Sequence, residues 1–462
     1  MNNRRSNVIK RFVNFDRAVS YGVLAIVWGV ISGPVSVYLI AQRFSKEVQG
    51  FYYTIASLLS LQIFFELGLS TVLTVFASHE FAKLKWGEMG SINGDSVALA
   101  RISDLMRKTI KWFGTASVLL SMLLIPFGLI FFGQNGGSVD FPWRLPWTMA
   151  VFATSLNLFS SSFFSVIMGS GDVITVNRRN LIVAILGSCT SWCIMWFNGG
   201  LYAICVVGLS NTIFSYVYIL KLKPRFLSFA WESMLPKAHG KDSVTLISWR
   251  KEIWPMQWKI AVSWISGYFI FQLFNPVLFY FHGAVVAGQM GMTLIAANAL
   301  LGVSIVLINA KNPEFGMLIS NKDWHALDHK FNKVLGQSAL IATIGAVVGW
   351  AAVYLLQKNY QIGSRFLPAN QAALLFASMI IITVIYGYAS YLRAHMKEVL
   401  MKQSVIAAIL QGTATFFLGW KYSSSGMVTG YFVLNLIYVF PSIYYIRKHY
   451  KDMWHREVPE TL

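Results

Sequence analysis

The sequence predicts an all-α polytopic membrane protein with about twelve transmembrane helices in two six-helix lobes, related by a pseudo-two-fold axis along the membrane normal. Three observations predict it: a scarcity of charge, apolar runs near twenty residues long, and a one-sided distribution of cations among the loops.

Of the 462 residues, 56% are hydrophobic and only 12% are charged, about half the roughly 25% charge of a soluble domain. That shortfall excludes a disordered chain, a nucleic-acid-binding domain and almost any soluble enzyme of this size. A helix of about 20 apolar residues crosses a ~30 Å hydrocarbon core. Twelve such spans are predicted, over residues 20–41, 51–77, 112–133, 147–169, 180–197, 201–220, 258–281, 284–310, 335–356, 371–392, 405–420 and 427–446. The basic start precedes a run too long for a signal peptide and lacks a small-residue cleavage site, so it reads as an uncleaved first helix.

The net charge is +19, which in a soluble chain would suggest an anionic partner. Here the two ends and every second loop hold 32 of the 38 Lys and Arg residues, and the alternate loops hold six. Cytoplasmic loops concentrate Lys and Arg, so both ends are expected in the cytoplasm and the charge needs no acidic ligand. The opposite side is nearly bare, with Glu47 and Asp140 its only carboxylates. Its segment 142–147, Pro-Trp-Arg-Leu-Pro-Trp, reads as an interfacial aromatic anchor. On the basic side, 78–111 and 311–334 are expected as amphipathic helices on the membrane surface.

The longest loop, 221–255, reads as a linker between an N-terminal lobe (1–220) and a C-terminal lobe (256–446), with 447–462 as a tail. Six spans on each side, both sets starting in the cytoplasm, require a parallel repeat. Weak echoes support one: Gly33-Pro34 with Gln49-Gly50 in the first half, Asn275-Pro276 with Gly288-Gln289-Met290-Gly291 in the second. Gly29/Gly33, Gly345/Gly349 and Gly426/Gly430 have the small-xxx-small spacing of close helix packing.

Glu66 is the one ionisable side chain well inside a span. A charge at mid-bilayer costs roughly 2.5 kcal/mol or more, so such residues face a cavity or a partner. It shares a helix face with Gln62, Ser70 and Thr74, giving the second span one polar stripe, and either lines a cavity or holds a structural hydrogen bond as a neutral acid. Gln272, Asn275 and Asn298, and the fourth-span set Asn157, Ser160, Ser161, Ser162 and Ser165, suit a sugar or ordinary interhelical bonding. Arg178, Arg179, Lys259, Lys311 and Arg393, near the basic ends of spans, are candidates for a diphosphate as well as topology determinants. His325 and His329 resemble a metal pair beside Asp323 and Asp328, but a charged surface helix favours solvated side chains. Cys189, Cys193 and Cys205 lie inside spans and read as packing residues.

No P-loop, HExxH or four-cysteine motif occurs, and the bare loops offer no catalytic platform. The chain reads as a non-enzyme with no catalytic residues, no metal and no cofactor, and no nucleic-acid partner.

Gln49-Gly50-Phe51-Tyr52-Tyr53, Phe65-Glu66-Leu67-Gly68-Leu69, Trp254-Pro255-Met256-Gln257-Trp258, Ala287-Gly288-Gln289-Met290-Gly291-Met292-Thr293 and Tyr391-Leu392-Arg393-Ala394-His395 resemble bacterial polysaccharide and O-antigen flippases. These belong to the MOP (multidrug/oligosaccharidyl-lipid/polysaccharide) superfamily. The resemblance implies alternating access between two lobes and a polyprenyl-diphosphate-linked oligosaccharide as cargo, flipped across the bacterial inner membrane for surface polysaccharide biosynthesis. Membrane lipids and a polysaccharide polymerase or ligase are the further partners it implies. The first span lacks the acidic residue frequent in related drug antiporters. A multidrug or cation antiporter and a non-transporting scaffold of a polysaccharide synthase are the alternatives.

Overall fold

The computed structural model describes residues 2–136, 140–234, 247–395 and 399–455. It contains helices α1 (Asn2–Arg43), α2 (Lys46–Leu59), α3 (Ile63–Glu66), α4 (Leu69–Phe81), α5 (Ser96–Asn135), α6 (Arg144–Gly169), α7 (Val173–Trp196) and α8 (Tyr202–Leu222). It continues with α9 (Pro224–Glu232), α10 (Trp254–Phe271), α11 (Phe274–Ser320), α12 (Trp324–Asn359), α13 (Ala369–Ala394), α14 (Met401–Leu434) and α15 (Phe440–His455). Strands β1 (Leu84–Trp86) and β2 (Ile92–Gly94) pair antiparallel, Lys85 opposite Asn93.

All twelve predicted spans are helical over most of their length, the second and the seventh with a break. Among the described residues, nine helical stretches are long and apolar enough to cross a membrane. Trp249–Ser320 holds the seventh and eighth spans, Met401–His455 the eleventh and twelfth, and α7 covers the fifth. The reversals inside the long stretches occur at Gly283 (φ 83°, ψ 177°) and Ser423 (φ 57°, ψ −149°).

The second span is not one helix. After α2 a 3₁₀ turn (Ser60–Gln62) leads into the single turn of α3, and then Leu67 (φ 51°) and Gly68 (φ 65°) are both left-handed before α4 begins. A left-handed leucine costs about 1–2 kcal/mol. At Gly68 the absence of a side chain matters twice, since a Cβ there would also lie 2.4 Å from Ile260 Cγ2. The break divides the expected polar face: Gln62 and Glu66 precede it, and Ser70 and Thr74 follow. The seventh span is interrupted too, at Gln272-Leu273 between α10 and α11.

Three expectations are corrected. Segment 78–111 is not a surface helix: the end of α4 is followed by the β1–β2 hairpin, and then α5 runs unbroken from Ser96 to Asn135. Segment 311–334 is a helical hairpin, the end of α11 and the start of α12, capped by the Asp323 carboxylate accepting from Ala326 N at 3.0 Å. Trp147 is no interfacial anchor. It is fully buried and donates from Nε1 to Ile125 O at 3.0 Å, because Gly128 leaves the indole its space; a Cβ there would meet it at 2.1 Å.

The chain forms two compact units. Unit one comprises Met1–Ser32, Leu59–Gln134 and Asp140–Ile265, and unit two Gly33–Leu58, Asn135–Val139 and Ser266–Leu462. Their boundaries do not follow the loop 221–255. The end of α1 from Gly33 and α2 as far as Leu58 pack with the later helices, while α10 as far as Ile265 packs with the earlier ones. Local chemistry explains both. On α2, Gly50 has no side chain, so its backbone reaches that of α11; a Cβ would sit 1.9 Å from Ala284 O. At the end of the long loop, Lys108 of α5 donates to Ile247 O, Arg101 pairs with Glu252 at 3.3 Å and with Glu80 at 2.7 Å, and Trp112 stacks on Trp249.

In unit one α6 packs against α4 and α8, and α8 against α7. The serines of α6 turn back on their own helix: Ser160, Ser161, Ser162 and Ser165 donate to the carbonyls of Asn157, Leu158, Phe159 and Ser161 at 2.6–2.9 Å. In unit two α11 packs against α12, α13 and α14. Gly345 and Gly349 permit close approach there, to Leu300 and Phe376. A π-helical turn (Asn435–Val439) leads into α15, whose Arg447, 9% exposed, lies 4.7–5.0 Å from the rings of Phe331, Tyr388 and Tyr391. Beside it Asp328 accepts from Tyr391 Oη (3.2 Å) and pairs with Lys451 (2.8 Å).

Candidate substrate-binding site

Unit two holds a polar pocket and an apolar slot that lie side by side and share part of their lining. The segment after α12 forms a 3₁₀ turn (Gln361–Arg365) before α13. Gln357 clamps it, donating to Leu367 O at 2.7 Å and accepting from Ala369 N at 3.1 Å. Thr293 Oγ1 accepts from Leu367 N at 3.0 Å, and Gln289 donates to Ser364 O at 2.9 Å.

Arg365 then reaches the start of α2. It donates to Phe44 O (2.5 Å) and Gln49 Oε1 (3.3 Å), and Gln49 Nε2 donates to Gly288 O (2.8 Å) and Arg365 O (3.1 Å). Burial lowers the pKa of Arg365 from the usual arginine value, with the nearby Glu47 charge opposing the shift.

The resulting pocket, about 1070 Å³, is lined by three cations, Lys46, Lys358 and Arg365, and by amide and hydroxyl groups including Gln42, Gln289, Asn359 and Ser364. Among the described residues no carboxylate lines it, Glu47 lying close by. Lys46 and Lys358 are exposed. The slot beside it, about 530 Å³, is walled by Pro34, Val37 and Tyr38 of α1, by Ile295 and Ala299 of α11, and by Leu356. Ala41, Tyr360, Ile362 and Phe366 line both spaces. Chemically, the arrangement suits an amphiphile: an anionic, hydroxyl-rich head in the pocket and a hydrocarbon chain in the slot.

None of the residues proposed from sequence as substrate-cavity or diphosphate ligands lines this pair of cavities, although Gly33, Pro34 and Gln289 of the repeat echoes do. Glu66, Gln62 and Ser70 lie around the break in unit one; Gln272 and Asn298 lie in unit two, the first at its interruption and the second exposed on α11. A discontinuous membrane helix is a recurring site of ion or substrate binding, which gives Glu66 its structural setting. Of the cations, Arg179 donates to Ser215 Oγ and Asn180 Oδ1 and lies over Phe164, so it is engaged within unit one. Lys311 pairs with Glu314 at 3.1 Å. Arg178, Lys259 and Arg393 are exposed. Asn275 donates to Ser57 Oγ at 3.2 Å, an interhelical bond. His325 and His329 are exposed, and both neighbouring acids have structural roles, Asp323 as a cap and Asp328 with Tyr391 and Lys451.

Sequence reasoning missed Lys46, Lys358 and Arg365 by treating the sparsely charged side as bare. The available signal was that four of its six cations fall in just two loops, around 42–50 and 357–370.

No protein-family model matches the chain, and no curated protein matches it in sequence. Solved structures do match in fold. Lipid II flippase MurJ in an inward closed conformation aligns with a TM-score of 0.62 at 12% identity, over 94% of this chain and 87% of that one. A mutant MATE transporter from Vibrio cholerae aligns at 0.56 and 15% identity, over 95% and 99%. An inward-facing multidrug resistance MATE family transporter of the MOP superfamily aligns at 0.52 and 13% identity, over 92% and 99%. The chain is therefore a multi-pass helical membrane protein whose fold is that of these transporters.

Proposed function

We propose that this protein is an alternating-access transporter that flips a polyprenyl-diphosphate-linked oligosaccharide from the cytoplasmic to the outer leaflet of a bacterial inner membrane. The observation that carries the reading is the adjacency of the cationic pocket and the apolar slot. Lys46, Lys358 and Arg365 match a diphosphate, the amides and hydroxyls match sugar hydroxyls, and the slot keeps the isoprenoid chain in hydrocarbon. Only binding and release are needed, and no covalent bond is made or broken. The cation asymmetry of the loops supports cytoplasmic ends, so the pocket faces the outer side, where the head group would leave.

A cationic drug antiporter is the competing reading within the fold. Three cations, with no carboxylate among the described lining residues, repel such cargo, which favours the lipid-linked glycan.

The test is a deletion strain complemented with wild type or with the double variant Lys46→Glu, Lys358→Glu. Surface glycan and extracted polyprenyl-linked oligosaccharide are measured together. Loss of surface glycan with accumulation of the precursor, rescued by wild type but not by the expressed double variant, is the expected result. Unchanged glycan in the deletion overturns the flippase reading, and loss without accumulation favours a scaffold.

A further inference from the structure

Unit one carries a second amphipathic site, independent of the reading above. A groove of about 480 Å³ lies between the broken second span and α5, walled by Phe64, Phe65, Leu67, Ala116 and Leu119. Lys108, Lys111, Trp112 and Trp249 also line it. The two indoles stack with centroids 5.2 Å apart and planes 23° apart.

The polar groups of this groove differ in what they have left to offer. Lys108 is engaged with Asp104 at 2.6 Å and with Ile247 O. Lys111 is exposed and forms no ion pair or hydrogen bond among the described residues. Trp112 Nε1 is buried and has no acceptor among the described residues, an expensive condition for an N–H unless something else accepts from it. Arg250 and Lys251, beside Trp249, are exposed and add to the positive field.

We propose that the groove is a binding site for an anionic phospholipid of the leaflet on the basic-loop side. The phosphate sits on Lys111, a phosphate or ester oxygen accepts from Trp112 Nε1, and one acyl chain lies along Phe64, Phe65 and Leu119. Charge decides the class of lipid. One uncommitted lysine matches a singly charged phosphodiester, whereas a diphosphate calls for several cations of the kind gathered in unit two. The bound lipid joins α5 to Trp249 and thereby to the start of α10, so it stabilises the attachment of the long loop's end to unit one.

Native mass spectrometry of the purified full-length protein, titrated with phosphatidylglycerol or phosphatidylcholine, tests this. Wild type is expected to retain phosphatidylglycerol at concentrations where phosphatidylcholine is lost. Lys111→Gln should weaken retention about tenfold, the loss expected for one hydrogen bond between charged groups. Leu119→Trp, which fills the groove from its exposed side, should abolish it, and Lys421→Gln, an exposed cation in unit two, should not change it. Equal retention of both lipids, or wild-type retention by Lys111→Gln and Leu119→Trp, overturns the proposal. So does displacement of phosphatidylglycerol by an isoprenyl diphosphate at equal concentration, which would assign the groove to that lipid.

Discussion

The guanidinium of Arg365, in the turn before α13, donates to the backbone oxygen of Phe44 at 2.5 Å, across 321 residues of chain. With Gln49 accepting from the same guanidinium and donating to Gly288 O and Arg365 O, this one side chain ties the start of α2 to the rim of the cationic pocket. Hydrogen bonds to a charged group contribute about 1.5–3 kcal/mol each. Arg365→Ala is expected to lower the unfolding free energy of the purified protein by about 2–4 kcal/mol, the sum of a strong and a weak bond. Arg365→Lys should restore little, because an ammonium cannot reproduce the planar fork. A denaturant titration followed by tryptophan fluorescence checks both.

Two glycines on helices should respond oppositely to the same substitution. At Gly50 an added methyl would lie 1.9 Å from Ala284 O, and neither backbone can move without parting α2 from α11. Gly50→Ala should cost about 3 kcal/mol or more and reduce the folded yield. At Gly29 nothing lies within 4 Å, so Gly29→Ala should be neutral or stabilise by up to about 1 kcal/mol through helix propensity. Size-exclusion profiles and melting temperatures separate the two.

Arg447 is held by three aromatic faces, and its Nε and Nη2 are buried without hydrogen-bond acceptors among the described residues. A desolvated cation–π contact contributes about 2 kcal/mol. Arg447→Ala is expected to remove roughly that amount plus the packing of its methylenes, loosening α15 from α12 and α13. Hydrogen exchange across 440–455 should rise in this variant while the helices of unit one keep their protection.

Glu66 ends α3 at the left-handed pair Leu67-Gly68. Glu66→Gln should leave the melting temperature within a degree or two and impair transport; unimpaired transport by this variant would remove any role for its titration. Gly68→Ala should destabilise by about 2–4 kcal/mol, combining its positive φ with the overpacking of a methyl 2.4 Å from Ile260 Cγ2.

The loops bearing Lys46 and Lys358 should be reachable from outside the cell. In a background lacking Cys189, Cys193 and Cys205, Lys358→Cys is expected to react with a membrane-impermeant maleimide on intact spheroplasts, and Lys322→Cys only after lysis. The reverse pattern would invert the topology.

Much of the fold was legible because hydrocarbon imposes simple rules on a chain. Spans must be about 20 apolar residues long and cations gather on one side, so the twelve spans, helical over most of their length, can be placed without any tertiary information. The breaks were less legible. Gly68 marks one, but Leu67 takes a left-handed conformation that no sequence rule assigns to leucine, and it is packing around Ile260 that leaves no room for a side chain at Gly68. The hairpin at 84–94 was missed because its residues read equally well as one face of a charged helix.

Composition, run length and loop charge by themselves determined that this is a polytopic helical membrane protein. Only the tertiary structure decided which loops meet. Gln49-Gly50 and Gly288-Gln289 read along the chain as echoes of a repeat; in space they touch, and Arg365 joins them. Periodicity reports which face of a helix is apolar, but convergence of residues hundreds of positions apart depends on backbone approach distances set at single glycines. That is why a pocket of three cations formed on the side that looked empty.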